Sequence, residues 1–314
     1  MVVTVEKVSV PPLVIGETPH WDIDTQSLYL VDVMGSAIVR YDLPSDQAFV
    51  AKLDVTPVSF IIPVAGSNGK FIIGSHHKIY LIDWDGCSDK IDSMEVLCEL
   101  TDQPEINVVN DAKCDTTGRL WFGTYNTNVI FFGDDTEATA KFYSYSKEEG
   151  CRVQATDIKV SNGLTWDPEF NSLYLIDTLT YSIGRFEYNK DGSIGNHEVV
   201  YSMEDKNIAS GFPDGMTIDK DGNLWVALFG RSEVVCIDPS SGEILDKVDM
   251  PACHVTSVAW GGPNLEDLYV TTGNFRPEGS KFPKMTVVSP ENDGCVFKIT
   301  GLSTSGLPMN RFKL

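Results

Sequence analysis

Short runs of alternating large apolar and smaller residues recur along the whole chain: SLYLVD (27–32), GKFIIG (69–74), GRLWFG (118–123), SLYLID (172–177), GNLWVA (222–227) and EDLYVT (266–271). β-branched and aromatic residues dominate them, and turn-forming residues bound them, so each reads as a strand. Second strands follow in several copies, at AIVRYDL (37–43), KIYLID (78–83), SIGRFEY (182–188) and EVVCID (233–238). Turns such as DWDG (83–86), NKDGS (189–193) and DKDGN (219–223) lie close by. Helical periodicity is missing; the nearest stretch, 137–150, is broken by β-branched and aromatic residues.

The second large residue of each core serves as a marker: Tyr29, Ile72, Trp121, Tyr174, Trp225 and Tyr269, with gaps of 43, 49, 53, 51 and 44 residues. Repeats of this size match a four-stranded propeller blade. The pattern predicts an all-β, six-bladed β-propeller forming one domain over 1–314, because no blade can bury its faces alone. Two β-sandwiches would show no such six-fold register.

One position inside the repeat stands out. About 12 residues before the marker, four copies carry Glu17, Asn110, Asn162 and Asp214, each followed five residues later by an aspartate: Asp22, Asp115, Asp167, Asp219. Repeats 2 and 6 carry Ser59 and Ser257 at this place. At the start of each innermost strand, these side chains would face the central channel. Desolvated carboxylates and amides gathered there are costly unless a hard cation resolves them. Calcium fits best, followed by magnesium or manganese; zinc is less suited, since the set holds no Cys or His. For a single copy, the pairs Asn162-Gly163 and Asp214-Gly215 would read as ordinary turn chemistry. The four-fold register argues otherwise.

Composition narrows the partners. With 45 acidic against 24 basic residues, the net charge of -21 disfavours nucleic acid and anionic membranes. Seven scattered cysteines without a CxxC argue against a disulfide scaffold or zinc knuckle. The N-terminal MVVTVEKVSVPPLVIG has no basic start followed by an apolar run, and no apolar segment reaches bilayer length. These features predict a cytoplasmic protein with reduced thiols and a small-molecule substrate. GxSxG, GxGxxG, P-loop and HExxH patterns are absent. DKDGN resembles an EF-hand opening, but Gly222 comes too early and Gly230 replaces the closing glutamate, so it reads as a hairpin turn.

GETPHW (16–21), NDAKCDTTGRLWFGT (110–124), SNGLTWD (161–167), PDGMTID (213–219), NLWVALF (223–229) and TSVAWGGPNLEDLYVTTG (256–273) resemble the family of senescence marker protein (regucalcin), gluconolactonase and luciferin-regenerating enzyme. The resemblance spans nearly the whole chain. It implies one axial divalent metal held by Glu17, Asn162 and Asp214, with Asn110 beside metal and substrate. It further implies metal-dependent hydrolysis of a lactone or related ester, with Asp214 as ligand and general base and Asn110 donating to substrate or developing oxyanion.

Two departures bear on the substrate. Sugar-lactone-hydrolysing members carry an Arg two residues before this Asn, where Val108 stands here, and an acidic residue near Asn128. Their loss predicts a substrate less polar than a sugar acid, with Phe131 and Phe132 at the mouth. His20 and His254 fall near a channel end, and His20 is a candidate substrate contact. Luciferin-regenerating action on a heterocyclic compound, or calcium-binding regulation without catalysis, are the alternatives. Cys114 reads as a buried small hydrophobe.

Overall fold

The computed structural model describes residues 2–129, 136–203, 211–274 and 291–314. Phe131 and Phe132 therefore lie outside the described residues. Among the described residues, twenty-four strands form six four-stranded antiparallel sheets arranged as the blades of a propeller. The innermost strands are Gly16–Asp22, Phe60–Pro63, Asn107–Cys114, Ser161–Trp166, Phe212–Ile218 and Val255–Gly261, in blades 1 to 6. Blades 1 to 5 are simple meanders running outward from the channel. Blade 6 takes its outermost strand from the other end of the chain: Thr4–Lys7 pairs with Phe297–Thr300, closing the ring. Among the described residues, no helix is long and apolar enough to cross a membrane.

The hydrophobic core is divided among the joints between blades. Six clusters of buried residues occupy the six junctions, each drawing side chains from two neighbours. Every marker lies in one of them: Tyr29 between blades 1 and 2, Ile72 between 2 and 3, Trp121 between 3 and 4. Tyr174, Trp225 and Tyr269 continue the series round the ring. The sequence repeat is thus the repeat of an inter-blade wedge. At about 1.5–3 kcal/mol per fully buried large apolar side chain, these wedges make each blade depend on its neighbours.

The last residues of the chain form a strap across one end of the channel. Gly306 donates to Leu265 of blade 6, and Lys220 of blade 5 donates to Ser305. Asn310 bonds the Cys114 carbonyl of blade 3, Arg311 pairs with Asp22 of blade 1 at 2.5 Å, and Phe312 donates to Pro63 of blade 2. All these anchors lie at or beyond the far ends of the inner strands. The strap therefore covers the base, leaving the strand starts at the opposite end.

Candidate functional site

The four repeat positions sit at one structural place. Glu17, Asn110, Asn162 and Asp214 each stand three residues before the partner of their blade's marker, in the pairs His20–Tyr29, Lys113–Trp121, Thr165–Tyr174 and Thr217–Trp225. In all four strands the ladder skips a residue there, between Glu17 and His20, Val109 and Ala112, Ser161 and Leu164, and Pro213 and Met216. A bulge frees a residue from the ladder and re-aims its side chain. In blade 6 the same rule selects Thr256, one residue ahead of Ser257.

Blades 2 and 6 withhold their side chains from the channel. The Ser59 hydroxyl donates to the Val109 carbonyl at 2.6 Å, and Thr256 donates to Gly16 at 2.6 Å. Both tie neighbouring inner strands together. Asn162-Gly163 and Asp214-Gly215 are not turns, since both lie within inner strands and neither glycine has a positive φ. Glycine is needed because the next blade is close: a Cβ at Gly163 would meet the Met216 amide, and one at Gly215 would meet Ser257.

Hydrogen bonds link blades 3, 4 and 5 at this level of the channel. Asn110 Nδ2 donates to the Ser161 carbonyl at 2.8 Å. Asn162 Nδ2 donates to Thr178 Oγ1 at 3.1 Å, and that hydroxyl donates to the Pro213 carbonyl at 2.9 Å. The Asn162 side chain also lies near enough to the Asp214 carboxylate to favour its charged form. Asn162 and Asp214 are buried, while Glu17 and Asn110 are partly buried.

Charge is concentrated and poorly compensated here. Burial, then Asp214 and Asp111, push the Glu17 carboxyl well above its ordinary range, against a hydrogen bond from the Thr18 amide. Asp214 is raised likewise by burial and then Asp111, with Asn162 opposing. Among the described residues, neither Glu17 nor Asp214 makes an ion pair. Asp111 is the member of the site that sequence reasoning passed over. Its buried carboxyl is raised to about 6 by desolvation, with Lys113 opposing, and Lys113 is lowered to about 8 by its own burial. The signal was present in NDAK, where a carboxylate directly follows Asn110 and a lysine stands two further on. Among the described residues, no three His, Cys, Asp or Glu side chains gather closely enough to hold an ion by themselves.

An apolar collar stands at the same end of the channel. Val129, Val160, Leu179 and Phe212 form a buried cluster with partly buried Tyr125, Tyr181 and Phe229 against it. Tyr181 stacks on Phe212 at 5.4 Å, and Phe229 stacks on His254 at 4.9 Å. Burial lifts the Tyr125 hydroxyl to about 12. Val108 pairs with Tyr125 and shares the strand face of Asn110 two residues on. The Asn128 amide is held by Asn126 Oδ1 at 3.0 Å.

His20 lies deeper in the channel, beside Thr18, Asp111 and Lys113. It lines a cavity of about 310 Å³ at the base, together with Lys113, Trp166 and Met309 of the strap. Its imidazole is lowered to about 4, chiefly by burial. Cys114 is buried and its thiol pushed up by desolvation, which leaves it a poor nucleophile.

A family model for the SMP-30/gluconolactonase/LRE-like region matches residues 15–274. "Putative sugar lactone lactonase YvrE" of Bacillus subtilis is 38% identical over 262 residues, covering 82% of this chain and 83% of that one. Regucalcin of Danio rerio is 30% identical over 295 residues, covering 94% and 93%. A solved structure of luciferin-regenerating enzyme superposes with a TM-score of 0.91 at 34% identity, covering 99% of this chain and 100% of that one. The chain belongs to the SMP-30/gluconolactonase/LRE-like family.

Proposed function

We propose that the protein is a divalent-metal-dependent hydrolase of a lactone or related ester less polar than a sugar lactone. The observation that carries this reading is the pair of desolvated carboxylates, Glu17 and Asp214, which repel one another across the channel beside the Asn162 amide. Such a set is costly alone and fits a hard cation with a preference for carboxylate and amide oxygens, calcium before magnesium or manganese. Glu17, Asn162 and Asp214 would hold it. When bound, the ion supplies Lewis-acid polarisation of the ester carbonyl.

The remaining chemistry belongs to the chain. Asp214 accepts a proton from the attacking water as its oxygen bonds to the carbonyl carbon. As the ring C–O bond breaks, that proton passes to the departing alkoxide. Asn110, held by its bond to Ser161, has a second amide hydrogen to offer the oxygen that gathers negative charge. The aromatic collar and Val108 favour an apolar or aromatic acyl or alkoxy portion.

The test is turnover of a panel of aldonolactones and aromatic lactones by purified protein, before and after EDTA and after calcium is restored. Hydrolysis of aromatic lactones should vanish on chelation and return with calcium. Turnover indifferent to chelation would sink the reading. Calcium binding with no turnover of any lactone would favour a regulatory protein instead.

A further inference from the structure

We propose that Lys113 and Asp111 together form a charge-setting floor beneath the ion position, matching the site to a single divalent cation. The inference rests on the reading of Glu17, Asn162 and Asp214 as ligands. Lys113 leaves the inner strand of blade 3, three residues after Asn110, and its Nζ donates to the Met216 carbonyl in blade 5 at 2.5 Å. It therefore passes blade 4 and lies across the channel. Met216 is two residues beyond Asp214, so the ammonium sits just below the carboxylates. On its lower side is the base cavity, of about 310 Å³. Thr18, His20, Asp111 and Lys113 help line a small void of about 10 Å³ beside it.

Three carboxylates act on one another here, Glu17, Asp111 and Asp214. Asp111 accepts a hydrogen bond from the Ala112 amide at 2.7 Å and has Lys113 as its nearby cation. With the ammonium in place the formal charge of the group is minus two, the complement of one divalent ion. Without it the charge is minus three. An over-compensated ion is held more tightly and polarises a carbonyl less, so a buried cation at this point favours both exchange of the ion and its action.

Calorimetric titration of calcium into four proteins at neutral pH tests this: wild type, Lys113→Met, Asp111→Asn and the double variant. Lys113→Met should bind about tenfold more tightly or better, Asp111→Asn about tenfold more weakly, and the double variant within about threefold of wild type. A merely structural role would weaken both single variants, and that result overturns the proposal, as does unchanged affinity in either. Lys113→Met leaves the buried Asp111 carboxylate without its nearby cation and so risks unfolding. Circular dichroism checks this; if it unfolds, Asp111→Asn and the double variant decide by their opposite expectations. Wild type that binds no calcium would instead remove the ligand assignment on which the inference rests.

Discussion

At the base of the propeller, Asp219 accepts hydrogen bonds from the Asp221 and Asn223 amides at 3.0 and 2.9 Å and from Trp225 Nε1 at 3.1 Å. Asp115 does the same with Thr117, Trp121 and Tyr188. Asp167 takes the Asn171 and Ser172 amides, and Asp22 takes Thr25 and Arg311. Five residues earlier in the same four blades, at the open end, the buried Glu17 and Asp214 carboxyls are raised well above their ordinary range, with little more than Thr18 and Asn162 to offset them. Two polar positions of one repeat thus have opposite physical standing. The later one is satisfied by the chain itself, and in blades 3 and 5 it also holds a tryptophan in place. The earlier one is left short, and a protein tolerates such a cost where a ligand relieves it.

The widest separation between the two positions should come from removing a carboxylate at each. Asp214→Ala is expected to lower turnover by about a thousandfold, since it deletes the proposed proton acceptor and a proposed metal ligand together. Its urea midpoint should hold or rise, because one of two repelling carboxylates is gone. Asp219→Ala should do the reverse: about 2–4 kcal/mol of stability lost, with Trp225 Nε1 and two amides left unpaired, and turnover per folded molecule little changed. Steady-state kinetics beside urea denaturation of both variants would break the comparison if the effects fell the other way round.

How much of this the sequence displayed follows from what kind of constraint each feature imposes. The wedges were legible because inter-blade packing demands a large residue at the same place six times, and Tyr29 to Tyr269 are those residues. The four donors were legible because the structural aspartates five residues on fixed their register. Gly163 and Gly215, taken one copy at a time, admit a turn reading because a close approach by the neighbouring blade and a turn both call for glycine. Ser257 was one residue off because blade 6 places its bulge differently. Asp111 was not singled out since a lone carboxylate beside an amide shows no sign of burial in the sequence. The strap carries no repeat at all, and its anchors are backbone groups of four blades and the Asp22 carboxylate of a fifth.

The base end offers its own test, through His20. This buried imidazole is held neutral, its value lowered to about 4 mainly by burial, with Asp22 opposing and Arg311 and Lys113 adding to the effect. The unfolded chain takes up a proton there below its ordinary value of about 6.5, which the folded chain resists. Stability therefore rises with pH between about 4 and 6.5 and loses this contribution as pH falls through that window, by about 3 kcal/mol in all. His20→Leu should flatten that part of the profile in urea melts taken across the range. An equal slope in both proteins would mean that the base of the channel is wetter than its packing implies.

The smallest expected effect concerns the collar, and it sharpens what the open end is for. Val108 and Asn128 stand near Tyr125 and Val129, where a polar substrate would need charged partners and finds a valine and an amide. Placing charge there should help hydroxyl-rich lactones and harm aromatic ones. Val108→Arg combined with Asn128→Glu is expected to move the ratio of kcat/KM for an aldonolactone over an aromatic lactone by about tenfold, or about 1.4 kcal/mol of differential transition-state binding. Calcium affinity should stay the same, because neither side chain is among the proposed ligands. A ratio that does not move would place substrate recognition on the other side of the mouth, with Phe212, Phe229 and His254, and leave the two substitutions without a part in selecting the substrate.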